Sequence, residues 1–330
     1  MIMRVAWFDT EEWEREFLKE RDHGLEIEFF EESLEKEKAS NLDEFDAVTV
    51  FVSSEVDEKV VEELEVSLIA TRSTGFDHIA TGKAAEKGIM VSNVPNYGGT
   101  TVAEHTFGLI LSLSRKINKA INKVEEGEFD HSGLEGFDLK GKKLGVIGTG
   151  TIGKNVIRIA NGFDMHVIAF DPEKDREAEH ELGFMYVELE DLLQQADVIS
   201  LHCPLNEHTE HLLSEEEFEK MDDTVLINTA RGEIVDTEAL IEALEQENVK
   251  AAGLDVLEEE CYLSDIEYLE ELEEECDPEK ILEDHILMER DDVVITPHNA
   301  FNSREAKERI EKTTLENLKN KKNIVNKPWS

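Results

Sequence analysis

Along the first 95 residues, short β-branched or aromatic runs at Met3–Phe8, Ala47–Val52, Ser67–Thr71 and Ile89–Val91 alternate with charged segments of helical period. Runs of that length separated by helices predict parallel strands in a small open-sheet α/β unit. Residues 99–126 read as one long helix. Its apolar positions Val102, Phe107, Leu109, Ile110, Leu113, Ile117, Ile121 and Val124 nearly encircle the first half, so this helix is expected to be buried, against its own chain or a second subunit. A second βα series begins at Lys143, with strands near 144–148, 166–170, 197–201, 224–228, 250–254 and 293–296. Six strands in alternating order predict a doubly wound sheet. Ser303–Lys321 has the pattern of a charged amphipathic helix and is expected to pack back on the first unit. The resulting division is a discontinuous domain of 1–98 with 298–330 around a second domain of 99–297.

Composition narrows the function classes. A chain of 330 residues with 40% hydrophobic content can build more than one core. Arg4, Asp9, Glu11 and Glu12 interrupt any apolar region of a secretory signal, and Phe107–Leu113 is too short to cross a bilayer. The expected compartment is therefore the cytoplasm. Three cysteines without zinc-type spacing suggest neither a disulfide scaffold nor a metal site. The net charge of −44 repels nucleic acid and anionic membranes. So extreme a charge reads as that of a halophilic host, where counterions screen repulsion among the carboxylates. Melting temperature and activity are accordingly expected to rise from dilute buffer to molar KCl, and a flat salt response would contradict this reading.

The chemistry starts where the run Leu144–Ile147 meets Gly148-Thr149-Gly150-Thr151-Ile152-Gly153 and a helical segment follows. Such glycines permit a tight turn, close backbone approach to a pyrophosphate and close helix–strand packing, while the helix start offers free N–H groups to phosphate. Asp171 closes the next predicted strand, placed to accept hydrogen bonds from an adenosine ribose and to repel a 2′-phosphate. NAD is thus favoured over NADP.

Further segments resemble the signatures of the D-isomer-specific 2-hydroxyacid dehydrogenases, most closely a D-lactate dehydrogenase-like branch. They are Arg72-Ser73-Thr74-Gly75-Phe76-Asp77-His78, Val94-Pro95-Asn96-Tyr97-Gly98 followed by Thr101-Val102-Ala103-Glu104, then Thr229-Ala230-Arg231-Gly232, Gly253 to Glu260, and Thr296-Pro297-His298-Asn299-Ala300-Phe301. The resemblance implies two Rossmann-like domains with the active site in their cleft, and a homodimer. It assigns Arg231 to the substrate carboxylate and C2 oxygen, His298 to proton transfer, and Glu260 to orienting and charging that histidine. Around NAD it places Gly148, Gly150, Thr151, Ile152, Gly153, Asp171, Cys203, Pro204, Thr209, Thr229, Ala230 and Asp255, the last near the nicotinamide amide. On the substrate side it places Ser73, Thr74, Gly75, Tyr97 and Phe301.

Hydride transfer asks for the same residue types. Charge developing on the C2 oxygen calls for a fixed guanidinium, the proton for a group titrating near neutrality, and a carboxylate beside an imidazole favours its charged form. The implied reaction interconverts a small 2-keto and 2-hydroxy acid such as pyruvate and D-lactate. Two alternatives stand beside it: a phosphoglycerate, glycerate or hydroxypyruvate dehydrogenase, and a non-catalytic NAD-sensing corepressor-like protein. Cys261 departs from the proline of many relatives, and the acidic stretch Tyr262–Glu283 reads as an inserted helix near the mouth of the site.

Overall fold

The computed structural model describes residues 2–21, 23–258 and 278–326, and separates the chain into two compact units, Met1–Tyr97 with Ser303–Ser330, and Gly98–Asn302. Glu260, Cys261 and the core of the expected inserted helix lie outside the described residues. Among the described residues, no helix is long and apolar enough to cross a membrane.

The first unit has five parallel strands, β1 (Arg4–Trp7), β2 (Glu26–Phe29), β3 (Ala47–Val50), β4 (Leu68–Thr71) and β5 (Met90–Ser92), in the order β2-β1-β3-β4-β5. α1 (Glu12–Lys19) to α4 (Thr81–Glu86) supply the crossovers. Leu68, Ala70, Val5 and Trp7 form the apolar layer under the closing helix α13 (Arg304–Asn320) through its Leu315 and Leu318. β2, an edge strand of sequence E-I-E-F with half its residues exposed, carried too little apolar signal to stand out in the sequence. Strand order reverses between β1 and β3, where open α/β sheets commonly bind a ligand. Here the chain fills that point itself: the Asp9 carboxylate accepts from the Phe51 amide at 2.8 Å, Ser53 Oγ at 2.8 Å and Ser54 Oγ at 2.6 Å.

A buried charge cluster sits in this unit. The Arg72 guanidinium, 2% exposed, donates to the carbonyls of Phe8 and Asp9 and lies 3.4 Å from Glu14 on α1. Glu311 on α13 is 1% exposed. Burial pushes its carboxyl well above the ordinary range, Arg72 pulls the other way, and Glu14 adds to the rise. A carboxyl with a raised folded-state pKa costs nothing at acid pH, where both states are protonated, and destabilises progressively as pH rises above the unfolded-state value. Glu311→Gln is therefore expected to raise Tm by about 2–4 °C near pH 8 and by less near pH 5. Equal changes at the two pH values in a thermal melt would contradict a proton held at Glu311.

Among its described residues the second unit contains seven parallel strands, ordered β12-β11-β10-β9-β6-β7-β8: β6 (Lys143–Ile147), β7 (His166–Phe170), β8 (Met185–Tyr186), β9 (Val198–Leu201), β10 (Thr224–Asn228), β11 (Val249–Leu254) and β12 (Val293–Ile295). This is the doubly wound order with one added edge strand, and two apolar layers cover its faces. The long helix expected over 99–126 is instead α5 (Gly99–Ser114) and α6 (Ile117–Glu125). The break has a cause in the 136–137 segment: the Phe137 amide donates to the Ser114 carbonyl at 2.9 Å, and Gly136 lies so close that a Cβ there would overlap that oxygen. Lys116 turns the chain in the left-handed region, φ 50°. Beyond the undescribed segment the chain resumes as α12 (Pro278–Met288), carrying the last part of the expected insertion.

Candidate functional site

All the second unit's site segments leave the carboxyl ends of its strands. The strand order reverses between β6 and β9. Gly148, φ 94°, follows β6 there, and a Cβ on it would stand 2.6 Å from the Cys203 amide nitrogen that follows β9. Only glycine fits that crossing. Gly153, in the first turn of α7 (Thr151–Gly162), is equally constrained, because its Cβ would overlap the Gly148 carbonyl. Gly150 is the contrast: as N-cap of α7 it has nothing within 4 Å of a Cβ position. Open space beside the start of α7, where the positive end of the helix dipole lies and Thr151 and Ile152 follow, fits a pyrophosphate.

Asp171 closes β7 beside this loop. One of its oxygens accepts from the Thr149 amide at 2.7 Å and Thr149 Oγ1 at 2.9 Å, the other from the Glu173 amide at 2.8 Å. The second oxygen, which accepts only from the Glu173 amide, keeps lone-pair capacity for a ribose hydroxyl. Burial pushes the Cys203 thiol up to about 11, with Asp171 contributing, so this cysteine is neutral and unreactive at physiological pH. The loop after it is braced by Thr209, whose Oγ1 donates to the Pro204 carbonyl at 2.6 Å and accepts from the Asn206 amide at 2.8 Å. These residues fit NAD, with Asp171 positioned against a 2′-phosphate.

Arg231, Asp255 and His298 follow β10, β11 and β12, three neighbouring strands. The Arg231 turn is strapped by Asn228, whose Nδ2 donates to the Arg231 carbonyl at 2.8 Å while its Oδ1 accepts from the Ala230 amide at 3.0 Å. Arg231 also donates to the Ala230 carbonyl at 2.7 Å. Thr229 is buried against α5, its Oγ1 3.1 Å from that of Thr106. Gly232 lets this turn pass directly over the Leu257–Glu258 backbone, where any Cβ would overlap the Leu257 carbonyl. A chain of backbone bonds joins the three segments: the Asp255 amide donates to the Asn228 carbonyl at 2.9 Å, and the His298 amide to the Asp255 carbonyl at 2.8 Å.

The Asp255 carboxylate, 1% exposed, organises the loop that carries His298. It accepts from Thr296 Oγ1 at 2.5 Å, the Asn299 amide at 3.0 Å and the Ala300 amide at 2.9 Å. Burial pushes this carboxyl up, but hydrogen bonds from His105, Thr296 and Ala300 outweigh it and hold it below the ordinary carboxylate range. His298 itself lies in the left-handed region, φ 46°, a conformation costing a non-glycine residue on the order of 1–2 kcal/mol, which the Asp255 bonds sustain. Phe301 follows on the same loop, half-buried.

Glu258 is engaged elsewhere than with His298. Its oxygens meet His211 Nε2 at 2.7 Å, Thr237 Oγ1 at 2.8 Å and Lys280 Nζ at 3.2 Å. Burial raises its carboxyl, and the Thr237 and His211 bonds bring it below the ordinary range. Neither Asn228 nor this Glu258 cluster stood out in the sequence; a buried asparagine ending a strand, and the first glutamate of an acidic run, carry no distinctive pattern.

In the first unit, the loop after β4 is held by hydrogen bonds at Ser73, Thr74 and Gly75. Thr71 Oγ1 and Ser73 Oγ are 2.6 Å apart, Ser73 Oγ donates to the Gly75 carbonyl at 2.6 Å, and Thr74 Oγ1 to the Val94 carbonyl at 2.8 Å. Asn93 Nδ2 donates to the Thr74 carbonyl at 2.7 Å. Tyr97 is half-buried, and its carbonyl accepts from Arg309 Nε at 2.8 Å.

Comparison with known proteins agrees with this geometry. Residues 107–300 match the family model of the D-isomer specific 2-hydroxyacid dehydrogenase, NAD binding domain. The chain is 38% identical over 327 residues to the D-lactate dehydrogenase of Escherichia coli (strain K12), covering 96% of both proteins. It is also 38% identical over 288 residues to the hydroxypyruvate reductase of Thermotoga maritima, covering 86% of this chain and 88% of that one. Among solved structures, the D-lactate dehydrogenase of Aquifex aeolicus complexed with NAD and lactic acid superposes with a TM-score of 0.85 at 33% identity, covering 97% of this chain and 98% of that one.

Proposed function

Because the chain belongs to the D-isomer-specific 2-hydroxyacid dehydrogenase family, whose members are NAD-dependent oxidoreductases of 2-hydroxy acids, we propose that it interconverts pyruvate and D-lactate or a close homologue. The observation that supports this most is the placement of Arg231, Asp255 and His298 at the carboxyl ends of three adjacent strands, in the same sheet that carries the Gly148–Gly153 loop. Bound NADH supplies the hydride. Arg231 holds the substrate carboxylate and stabilises charge growing on the C2 oxygen, to which His298 gives its proton. Glu260, five residues past Asp255, keeps that imidazole charged and oriented. Asp255 fixes the His298 loop, and by the resemblance would lie near the nicotinamide amide of bound cofactor. By the resemblance, Ser73, Thr74, Gly75 and Tyr97 of the first unit and Phe301 of the second are proposed as substrate-binding residues.

Initial rates of NADH oxidation with pyruvate, hydroxypyruvate, glyoxylate, phenylpyruvate and phosphohydroxypyruvate test the substrate. Pyruvate is expected to give the highest kcat/KM, and preference for hydroxypyruvate would move the assignment to the hydroxypyruvate reductases. NADH binding without turnover of any of the five would favour the NAD-sensing role.

The reading extends to a homodimer in the cytoplasm. Ile117, Ile121 and Val124 recur at helical spacing on α6 and are 41%, 51% and 56% exposed, and Phe129 beyond them is 96% exposed. A contiguous apolar stripe on so charged a chain is suited to a second copy. A monomer at micromolar concentration in analytical ultracentrifugation would contradict it.

A further inference from the structure

α5 brings a second histidine to the carboxylate that holds the His298 loop. His105 Nε2 lies 3.0 Å from Thr296 Oγ1 and 3.3 Å from Asp255 Oδ1. The hydrogen positions follow from counting. Thr296 has a single hydroxyl hydrogen, and because the ionised Asp255 carboxylate can only accept, that hydrogen goes to Asp255. Thr296 Oγ1 can then only accept from His105, so Nε2 carries the hydrogen, and the same N–H is aimed towards the Asp255 carboxylate. Asp255 thus receives Thr296, the Asn299 and Ala300 amides and His105, while the backbone of His298 hangs between the Asp255 carbonyl at 2.8 Å and the Thr296 carbonyl at 2.9 Å. His105 is the one member of this knot that comes from outside the two loops it joins, and it comes from a helix packed on β10, β11 and β12.

We propose that His105 is a positioning residue for proton transfer at His298: its Nε2–H ties Thr296 and Asp255 to α5 and so fixes the loop on which His298 is held in the left-handed region. The inference rests on His298 being the proton donor. Its chemistry is that of a neutral or charged N–H donor at a set distance, not of a base, since Nε2 is the donating atom. Misplacing a reacting group by as little as an ångström can cost on the order of a hundredfold in rate, so a tether of this kind acts mainly on kcat.

The test uses the full-length enzyme in three forms, His105→Phe, His105→Gln and His298→Asn, beside the wild type. Thermal melts and NADH binding by fluorescence establish that each is folded, and kcat and KM for pyruvate are then measured. In His105→Phe, kcat is expected to fall by roughly tenfold while KM and NADH affinity change by less than about threefold, because the loop is loosened and the binding groups are untouched. His105→Gln, whose side-chain amide presents an N–H near the same place, is expected to recover kcat to within about threefold of wild type. A folded His105→Phe with wild-type kcat overturns the proposal, as does a His105→Gln no better than His105→Phe. Should His105→Phe fail to fold, His105→Gln decides alone: wild-type-like kcat supports the tether and a loss comparable to His298→Asn overturns it. His298→Asn separates the two levels. If it is crippled while His105→Phe is normal, only the tether fails; if it is fully active, the proton-donor reading fails and the tether with it.

Discussion

Replacing His298 by Asn is expected to lower kcat/KM by about a hundredfold or more in both directions, the loss typical of removing a general acid–base group. Asn is the appropriate replacement because it tolerates the left-handed backbone that the position imposes, φ 46° in the native chain, so that folding is retained. The Asp255 carboxylate holds the loop through Thr296 and the amides of Asn299 and Ala300, none of which depends on the imidazole. NADH affinity should therefore stay within a few-fold of wild type while turnover collapses. Steady-state rates with pyruvate and with D-lactate, beside a fluorescence titration with NADH, check this. Near-normal turnover would show that another group carries the proton.

Arg231→Gln is expected to be comparably damaging, by about a hundredfold to a thousandfold in kcat/KM for keto-acid reduction, because the guanidinium is asked to hold a carboxylate and to stabilise charge appearing on the C2 oxygen. The first role shows in KM and the second in kcat, so both are expected to worsen. Arg231→Lys restores the charge without the planar fork and should recover only part of the loss. The turn itself should survive, since Asn228 and the Gly232 crossing shape it through backbone atoms. A variant with wild-type KM and kcat would remove Arg231 from the site.

The sequence made the second unit legible because its strands are continuous apolar runs bounded by glycines with mechanical reasons, and because Asp171 ends the strand that the loop requires. What escaped it were features fixed by contacts between distant segments. β2 is an exposed edge with little apolar contrast, and the α5–α6 break depends on the Phe137 amide reaching the Ser114 carbonyl. The site shows the same division. Arg231 and His298 are legible through their ordered motifs, whereas Asn228 and His105 act through side-chain contacts that no spacing announces. In the acidic run, sequence alone separates the three glutamates only by resemblance; the structure adds that Glu258 is committed to His211, Thr237 and Lys280.

The most direct measurement of the catalytic assignment is kcat/KM against pH, in both directions, for wild type and Glu260→Gln. Reduction needs the charged imidazole and oxidation the neutral one, and a neighbouring carboxylate favours the charged form. Removing that charge should move the limb on which reduction declines to lower pH by roughly one to two units, and near neutrality should spare oxidation relative to reduction. A mutant profile superimposable on the wild-type one would contradict the pairing of Glu260 with His298 and make Glu260 one more solvated glutamate of the acidic run.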